Sequence, residues 1–467
     1  MTAWIFFILL TIFQFLGGHG IIALFRIRVK SSLKFPLALI LGMALSSLIP
    51  FIMQLLHIRL SMINVLIGVF GACLLLSWLG GINGGRLWRI YRKTKFKFRL
   101  YELPAMLLII FAVSVSAWRS YYLPPTPRDL NSGPEVIAEY TVKENTMINS
   151  VFQLDLSTTN NQFKPAFLTS LQVIYKHIGF PFGQVWLFVL YSSFLLFLYH
   201  ALRLFIHRLL AGWLLVFFIA IPEMYAYSFM ALFDLPNAIY FFLSFWFLNA
   251  YFHSGHKNEL AFAGLLMAIA TYTRSETLFF AGLLFPAITW HHYKKRQAVL
   301  KETLGAFAFF IFPSVISYLL SITIYIKYYL PSDYAVSNLV NSKWYDPLAL
   351  LQRFADMNWE LILSWQGVLY YGYFFFIFLL VMILDLVFID HISRNSRNWL
   401  YAVLVIYLGY PLLGHLLPLL DIHHSTKRGL FKIFPLMLLY MGSCRLLVQL
   451  SRRINNWEAS SEVPEKS

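Results

Sequence analysis

The chain has 467 residues, of which 59% are hydrophobic and 12% are charged, and its formal net charge is +16. A soluble domain carries about 25% charged residues, so this composition excludes a globule with an ordinary polar surface. Most lysines and arginines lie in short clusters between apolar runs, which is the pattern of a membrane protein. We therefore expect a lipid bilayer as partner and no nucleic acid.

Apolar runs recur from one end of the chain to the other. Because a helix needs about 20 apolar residues to cross a bilayer, these runs predict an all-α polytopic transmembrane helix bundle of about 13 spans. The first run ends in a basic cluster and is predicted to be a retained span, not a cleaved signal peptide. The predicted spans lie near residues 3–25, 35–57, 61–80, 103–119, 184–206, 210–230, 235–253, 259–273, 276–292, 304–326, 367–389, 399–417 and 430–447.

Basic residues in the short loops predict the orientation and the organisation of the chain. They place the N-terminus outside and the C-terminus in the cytoplasm. Residues 1–100 are predicted to form an N-terminal unit of three spans with a basic cytoplasmic loop. Residues 101–450 would form the main membrane domain, and residues 451–467 a cytoplasmic tail. A bacterial inner membrane is the predicted location, with an internal eukaryotic membrane as the alternative.

Two long polar loops fall on the predicted non-cytoplasmic side, near residues 119–164 and 327–366. Both are expected to contain amphipathic helices that lie along the membrane, and long ordered loops are usually functional. The first loop contains Asp129 and Glu135. A carboxylate at the membrane surface can act as a general base on a hydroxyl group. The alternative is that these acids only solvate the loop, and composition alone favours that alternative.

Charged residues also interrupt the apolar runs further along the chain. Asp234 precedes Pro236 and is predicted to be either an ordinary helix-start residue or a charge placed in the membrane for function. Arg274 and Glu276 occupy a short hinge between two spans. Arg274 is a candidate for binding phosphate, with an Arg–Glu pair or a snorkelling side chain as an equally weighted alternative.

The last predicted outer loop is rich in basic residues, among them His423, Lys427 and Arg428. Such a cluster runs against the positive-inside trend, and an anionic ligand such as a lipid phosphate is its simplest explanation. His423 and His424 could bind zinc, but adjacent histidines point in different directions on a helix, and no Cys or second His pair completes a tetrahedral set, so a metal site is not expected here. Nucleotide-binding loops and serine or zinc protease motifs are absent from the sequence, so ATP hydrolysis and protease chemistry have no support. We expect no cofactor and no metal.

The order of these features resembles the GT-C superfamily of glycosyltransferases, of the protein-mannosyltransferase and aminoarabinose-transferase type. The resemblance covers residues 103–445. It rests on Asp129 in the first outer loop, the proline-led stretch 163–180, the acid–span–Thr-Arg run from Asp234 to Arg274, and Lys427-Arg428-Gly429-Leu430 before an apolar last span. Many members of the family have an adjacent Asp-Glu pair in this loop. In this chain Asp129 is followed by Leu130, and Glu135 is the candidate for the second acid.

The resemblance implies a donor sugar on a polyprenyl phosphate and a glycan, lipid or protein acceptor. Asp129 would deprotonate the acceptor hydroxyl, which inverts the anomeric carbon, while Arg274, Lys427 and Arg428 would hold the departing phosphate. These residues are expected to converge in one pocket. The remaining predicted substrate-binding residues are Glu135, Asp234, Glu276 and His423.

Two other functions are left as alternatives. A transporter or flippase of a lipid-linked saccharide would place its charged residues along a cavity inside the membrane, whereas these charges gather in predicted outer loops. A membrane scaffold without catalysis would leave the outward basic cluster unexplained.

Overall fold

The computed structural model describes residues 2–82, 85, 87, 91, 99–125, 133–153, 164–296, 300–330, 345–388, 394–417 and 420–461. Within these ranges all regular structure is helical, and no strand occurs. The predicted all-α class is therefore confirmed.

Twenty-one α-helices follow one another along the described chain, some of them prolonged by short 3₁₀ or π-helical turns. Their bounds are α1 Thr2–Leu24, α2 Ser31–Leu55, α3 Met62–Leu79, α4 Leu103–Tyr122, α5 Pro134–Glu144, α6 Phe167–His177, α7 Trp186–Leu202, α8 Arg208–Ile219, α9 Pro222–Ala226, α10 Asp234–Ser254, α11 Lys257–Thr273, α12 Thr277–Gly282, α13 Phe285–Arg296, α14 Leu300–Tyr318, α15 Pro347–Asn358, α16 Trp365–Tyr371, α17 Phe374–Phe388, α18 Arg394–Leu416, α19 Lys427–Gly429, α20 Phe434–Ser443 and α21 Arg445–Ser461.

Six of the described helical segments are long and apolar enough to cross a membrane, and two bent helix pairs raise the number to eight. These segments indicate a multi-pass membrane protein. The predicted count of about 13 spans is not confirmed. The six segments are Thr2–Leu24, Ser31–Leu55, Met62–Leu79, Leu100–Tyr122, Lys301–Tyr328 and Ser396–Leu416, and the bent pairs are Trp365–Tyr371 with Phe374–Phe388 and Ile422–Ser443 with Arg445–Ser460.

Breaks within the apolar runs account for part of the difference in the span count. The predicted span 276–292 is divided between α12 and α13. The predicted span 210–230 contains the end of α8 at Ile219, and Pro222 then begins the short helix α9. Proline has no amide hydrogen to donate and favours the first turn of a helix, so it starts a new helix more readily than it continues one.

The described chain separates into two compact units. Unit 1 comprises Met1–Lys95, Val115–Phe194 and Tyr227–Asn338, and unit 2 comprises Phe96–Ser114, Leu195–Ala226 and Leu339–Ser467. Each unit is thus assembled from three separate stretches of chain. The predicted division at residues 100 and 450, into consecutive segments, stays a prediction.

Helices α1, α2 and α3 pack together in unit 1 through glycine contacts. A Cβ atom on Gly18 of α1 would overlap the backbone of Ala38 in α2, and a Cβ on Gly42 of α2 would overlap the backbone of Gln14 in α1. Small residues at such crossings let helix backbones approach closely, which is how helices associate in membranes.

A helical hairpin in unit 1 positions three of the predicted site residues. Helices α10 and α11 pack along each other, and Gly255, with a φ of 75°, forms the left-handed turn between them. Asp234 begins α10 and Arg274 follows the last residue of α11. The antiparallel hairpin therefore brings these two residues to the same end.

In unit 2, the segment 427–432 leads into α20, whose ten residues are all buried. Helix α20 packs against α18, with further contacts to α8 and α17. The basic residues that precede α20 are therefore attached to the interior of unit 2.

Candidate functional site

The predicted catalytic base, Asp129, lies outside the described residues. The other predicted site residues are described, and they fall in two places in unit 1 and one segment of unit 2. The predicted convergence of Asp129, Arg274 and Arg428 in one pocket stays a prediction.

The hairpin end in unit 1 holds a buried charge cluster of Asp234, Arg274 and Glu276. The guanidinium group of Arg274 donates hydrogen bonds to Asp234 through Nη1 and to Glu276 through Nη2, the latter at 2.9 Å. The Asp234, Glu276 and Arg274 side chains are only 4%, 9% and 17% exposed. The structure thus joins these three predicted residues, as one positive charge between two negative charges.

This arrangement bears on the predicted role of Arg274. Two of its nitrogens already bind carboxylates, and a phosphate would have to compete with both of them. The three side chains carry two negative charges and one positive charge. Their carboxylates can accept hydrogen bonds from hydroxyl groups, whereas they would repel an anion. The role of Arg274 in phosphate binding stays a prediction.

Asn237 supports the same hairpin end and was not among the predicted site residues. Its amide Nδ2 lies 2.6 Å from the carbonyl oxygen of Ala270 and 2.8 Å from each hydroxyl oxygen of Thr273 and Thr277. These contacts tie α10 to α11 and to the start of α12. A polar residue one turn after Asp234 in an otherwise apolar run was the signal that could have identified it.

Glu135 takes part in a second polar network of unit 1, between α5 and α6. Its carboxylate accepts hydrogen bonds from Lys176 Nζ at 2.6 Å and from Gln172 Nε2 at 2.6 Å, and Gln172 Oε1 accepts one from Trp186 at 3.0 Å. Burial raises the pKa of Glu135, and the nearby ammonium of Lys176 opposes this. The geometry indicates a carboxylate fixed between helices.

In unit 2, Lys427 is held by acidic and aromatic partners. Its ammonium lies 2.9 Å from Oε1 of Glu223 and 3.8 Å from the ring centroid of Tyr370. The hydroxyl of Tyr371 donates to the Lys427 carbonyl at 2.7 Å. Most of the Lys427 side chain is thereby removed from water, and a cation in such surroundings interacts more strongly with anions than one at an exposed surface.

Lys432 lies deeper in the same segment. It is 2% exposed, and its Nζ donates a hydrogen bond to the hydroxyl of Tyr410 at 2.6 Å. The Tyr410 ring lies against the backbone of Gly429, where any Cβ would overlap it. Close packing against Tyr410 therefore explains why a glycine follows Arg428. Tyr410 and Gly429 were not predicted as site residues, and only the glycine gave a sequence signal.

Arg428 belongs to the same turn of helix as Lys427 and is half-buried. Just before it, Thr426 is buried, and its hydroxyl has no hydrogen-bond partner within the described part of the chain. We refer to Lys427, Arg428 and Lys432 as the 427–432 cluster. It contains three cationic side chains, of which Lys427 forms an ion pair with Glu223.

The two histidines before this cluster lie nearer to solvent. His423 Nε2 is 3.0 Å from Glu360 Oε2, and His424 Nδ1 is 2.5 Å from Asp421 Oδ2. Asp421 also accepts hydrogen bonds from the backbone amides of His424 and Ser425. Across the described ranges, three or more His, Cys, Asp or Glu side chains nowhere come together as a possible metal site.

Comparison with known proteins adds no assignment. No family model matches the chain, and neither a curated protein nor a solved structure is found similar to it. The GT-C resemblance therefore stays a prediction.

Proposed function

We propose that the chain is a membrane glycosyltransferase that transfers a sugar from a polyprenyl-phosphate donor to an acceptor hydroxyl on the non-cytoplasmic side. The observation that supports this proposal best is the 427–432 cluster. Its three cations lie within one short segment of a membrane protein, and Lys432 among them is buried. An anionic group of a lipid, such as its phosphate, is the natural partner of such a cluster.

The electrostatics of the cluster suit the leaving group of this reaction. The donor is a phosphodiester with one negative charge, whereas the departing polyprenyl phosphate is a monoester whose second pKa is about 6. Negative charge on the phosphate therefore grows as the bond to the sugar breaks. Fixed cations in a low-dielectric site stabilise that growing charge more than the charge of the ground state, which lowers the barrier.

The remaining roles in the proposal come from the resemblance and from the geometry of unit 1. Asp129 takes the proton from the acceptor hydroxyl, which attacks the anomeric carbon in line and inverts it. Arg274 holds Asp234 and Glu276 in place, and these two carboxylates accept hydrogen bonds from sugar or acceptor hydroxyls. The reaction needs no nucleotide at the site.

Binding of the phosphate is tested with the full chain in lipid nanodiscs and undecaprenyl phosphate as the probe. Because a hydrogen bond to a charged group contributes about 1.5–3 kcal/mol, we expect Lys427→Gln and Arg428→Gln each to weaken binding about tenfold to hundredfold. Lys257→Gln, which removes an exposed cation of unit 1, is the matched control and should bind normally. Equal affinity of the native chain for undecaprenyl phosphate and undecaprenol would refute a phosphate site.

Catalysis is tested by sugar transfer from a panel of polyprenyl-phosphate sugars to glycan, lipid and peptide acceptors. Asp129→Asn should lose transfer while it still binds undecaprenyl phosphate. Glu144→Gln, which changes an exposed carboxylate of α5, should retain transfer. Undiminished transfer by Asp129→Asn would show that another group is the base.

One observation favours a second function, transport of a lipid-linked saccharide. Lys432 lies in the interior of unit 2, where a transport cavity would also need a cation. Proteoliposomes that contain a fluorescent polyprenyl-phosphate sugar separate the two functions. Movement of the lipid between leaflets without sugar transfer would support the transporter, and transfer without movement would support the enzyme.

A further inference from the structure

The structure also contains a basic amphipathic helix at the end of the described chain, and we propose that α21 binds anionic lipid headgroups at the membrane surface. This inference concerns a different surface from the phosphate site and does not depend on the proposed function. It rests on how α21 is fixed to unit 2, on what its outer face exposes, and on its angle to the preceding helix.

The inner face of α21 is fixed by polar contacts to unit 2. Ser451 Oγ accepts a hydrogen bond from the backbone amide of His207 at 2.6 Å. Glu458 lies 3.0 Å from Arg208 and 3.2 Å from His207. These contacts hold the helix at two points along its length, so its opposite face has a defined orientation.

The outer face carries an apolar strip beside arginines. Leu446, Leu450, Arg453 and Trp457 follow one another at helical spacing and share one side of α21. Leu450 is 42% exposed and Trp457 is 62% exposed. Arg445, Arg452 and Arg453 are exposed as well. Glu458, the acidic residue of this helix, is directed towards Arg208, which leaves the exposed face positively charged.

The angle of α21 suits a position along the membrane surface. The segment Ile422–Ser443 and the segment Arg445–Ser460 meet at a bend of 53°. Cys444, between them, has the extended backbone that ends α20. Because α21 is bent by this angle from the buried helix α20, it can place one side against the lipid surface and the other against its own protein.

Charge and side-chain chemistry together indicate anionic lipid. Tryptophan favours the boundary between headgroups and acyl chains, and arginines near an anionic surface gain about 1 kcal/mol each, which is about a fivefold change in affinity. Amphipathic helices with an aromatic and aliphatic strip beside basic residues bind membrane surfaces in this way. The partner is therefore the anionic leaflet next to the C-terminal segment.

The experiment places a nitroxide label on the full chain at Trp457→Cys, in nanodiscs of phosphatidylcholine alone or mixed equally with phosphatidylglycerol. Cys73 and Cys444 are buried, and a chain without the new cysteine gives the background labelling. Oxygen concentrates in the lipid, whereas a water-soluble nickel complex stays outside it. In mixed discs we therefore expect the label to be accessible to oxygen and shielded from the nickel complex. A label at Asn456→Cys, on the polar side of the helix, should stay accessible to nickel.

A charge variant provides the decisive comparison. The charge variant combines Arg445→Gln, Arg452→Gln and Arg453→Gln. It should abolish the difference in nickel access between the two disc types, because each lost arginine lowers the affinity of the helix for the anionic surface about fivefold. The matched control removes three exposed charges from the loop after α1, as Arg26→Gln, Arg28→Gln and Lys30→Gln, and should keep the difference. Nickel access to position 457 in both disc types would overturn the proposal. Shielding that does not depend on lipid charge would also overturn it, because it would show contact with acyl chains or with the protein itself and no recognition of anionic headgroups.

Discussion

Replacing Arg274 by glutamine tests the charge balance of the hairpin end in unit 1. The native cluster places one guanidinium between two buried carboxylates, Asp234 and Glu276. Arg274→Gln leaves both carboxylates without their shared cation. Asp234→Asn, in contrast, leaves a neutral pair of Arg274 and Glu276. The two substitutions each remove one charge from the same contact, yet they should differ strongly in cost.

The magnitudes follow from the distances. At 2.9 Å, the Arg274–Glu276 attraction is about 6 kcal/mol for an effective dielectric constant of 20. The desolvation of the buried groups offsets part of this, and removal of one partner from a buried pair costs about 3–5 kcal/mol in the free energy of unfolding. We expect Arg274→Gln to fall in that range. Asp234→Asn should cost only about 1–2 kcal/mol, because it also removes repulsion between the two carboxylates.

The assay is unfolding of the full chain in mixed micelles, with helicity as the signal. Arg28→Gln, at an exposed loop position, controls for the loss of an arginine and should stay within about 0.5 kcal/mol of the native chain. The order of the two effects is diagnostic. If Asp234→Asn destabilises the chain as much as Arg274→Gln, the description of Arg274 as the shared partner of two carboxylates is wrong.

Two further predictions concern other parts of the chain. Gly18→Ala should cost about 1–3 kcal/mol in the free energy of unfolding, because its Cβ would overlap the backbone of Ala38. Gly71→Ala, with open space around it, should be neutral or stabilising by up to about 1 kcal/mol. Thermal unfolding of the two variants measures the contrast, and equal effects would contradict the close α1–α2 crossing. The pKa of Asp421 is lowered from its ordinary 3.8, because hydrogen bonds from His424 and Ser425 outweigh the opposing effect of burial. The folded chain therefore binds fewer protons than the unfolded chain at this site, and its stability should fall as the pH drops below about 4; Asp421→Asn should remove that part of the pH dependence, and an unchanged profile would refute it.

The hairpin end of unit 1 could be predicted from the sequence more readily than the rest of the candidate site, although the contact between Asp234 and Arg274 was not among the predictions. Two apolar runs joined by a short loop predict antiparallel neighbours, and the polar residues at their outer ends then meet of necessity. Asp234 and Arg274 are such a pair, and the Arg–Glu alternative for Glu276 was stated from the sequence. Here the contacts follow from local spacing, which a sequence displays directly.

Contacts between distant segments could not be predicted in the same way. The structure places the carboxylate of Glu135 against Lys176 and Gln172 of another helix, and its role in substrate binding stays a prediction. Nothing in the spacing of these residues shows that α5 and α6 pack together. The span count differed for a related reason, since an apolar run has the same composition whether one helix or two short helices form it.

The contrast between Arg274 and Lys427 shows what decides the use of a buried cation. Both were predicted to hold a phosphate, and both contact a carboxylate. Arg274 lies between two carboxylates, whereas Lys427 pairs with the carboxylate of Glu223 and shares its segment with Arg428 and Lys432. A sequence shows the cations but not which acids lie against them in the folded chain. Because an anion is attracted by several cations grouped together, the 427–432 cluster is the better candidate for the proposed phosphate site.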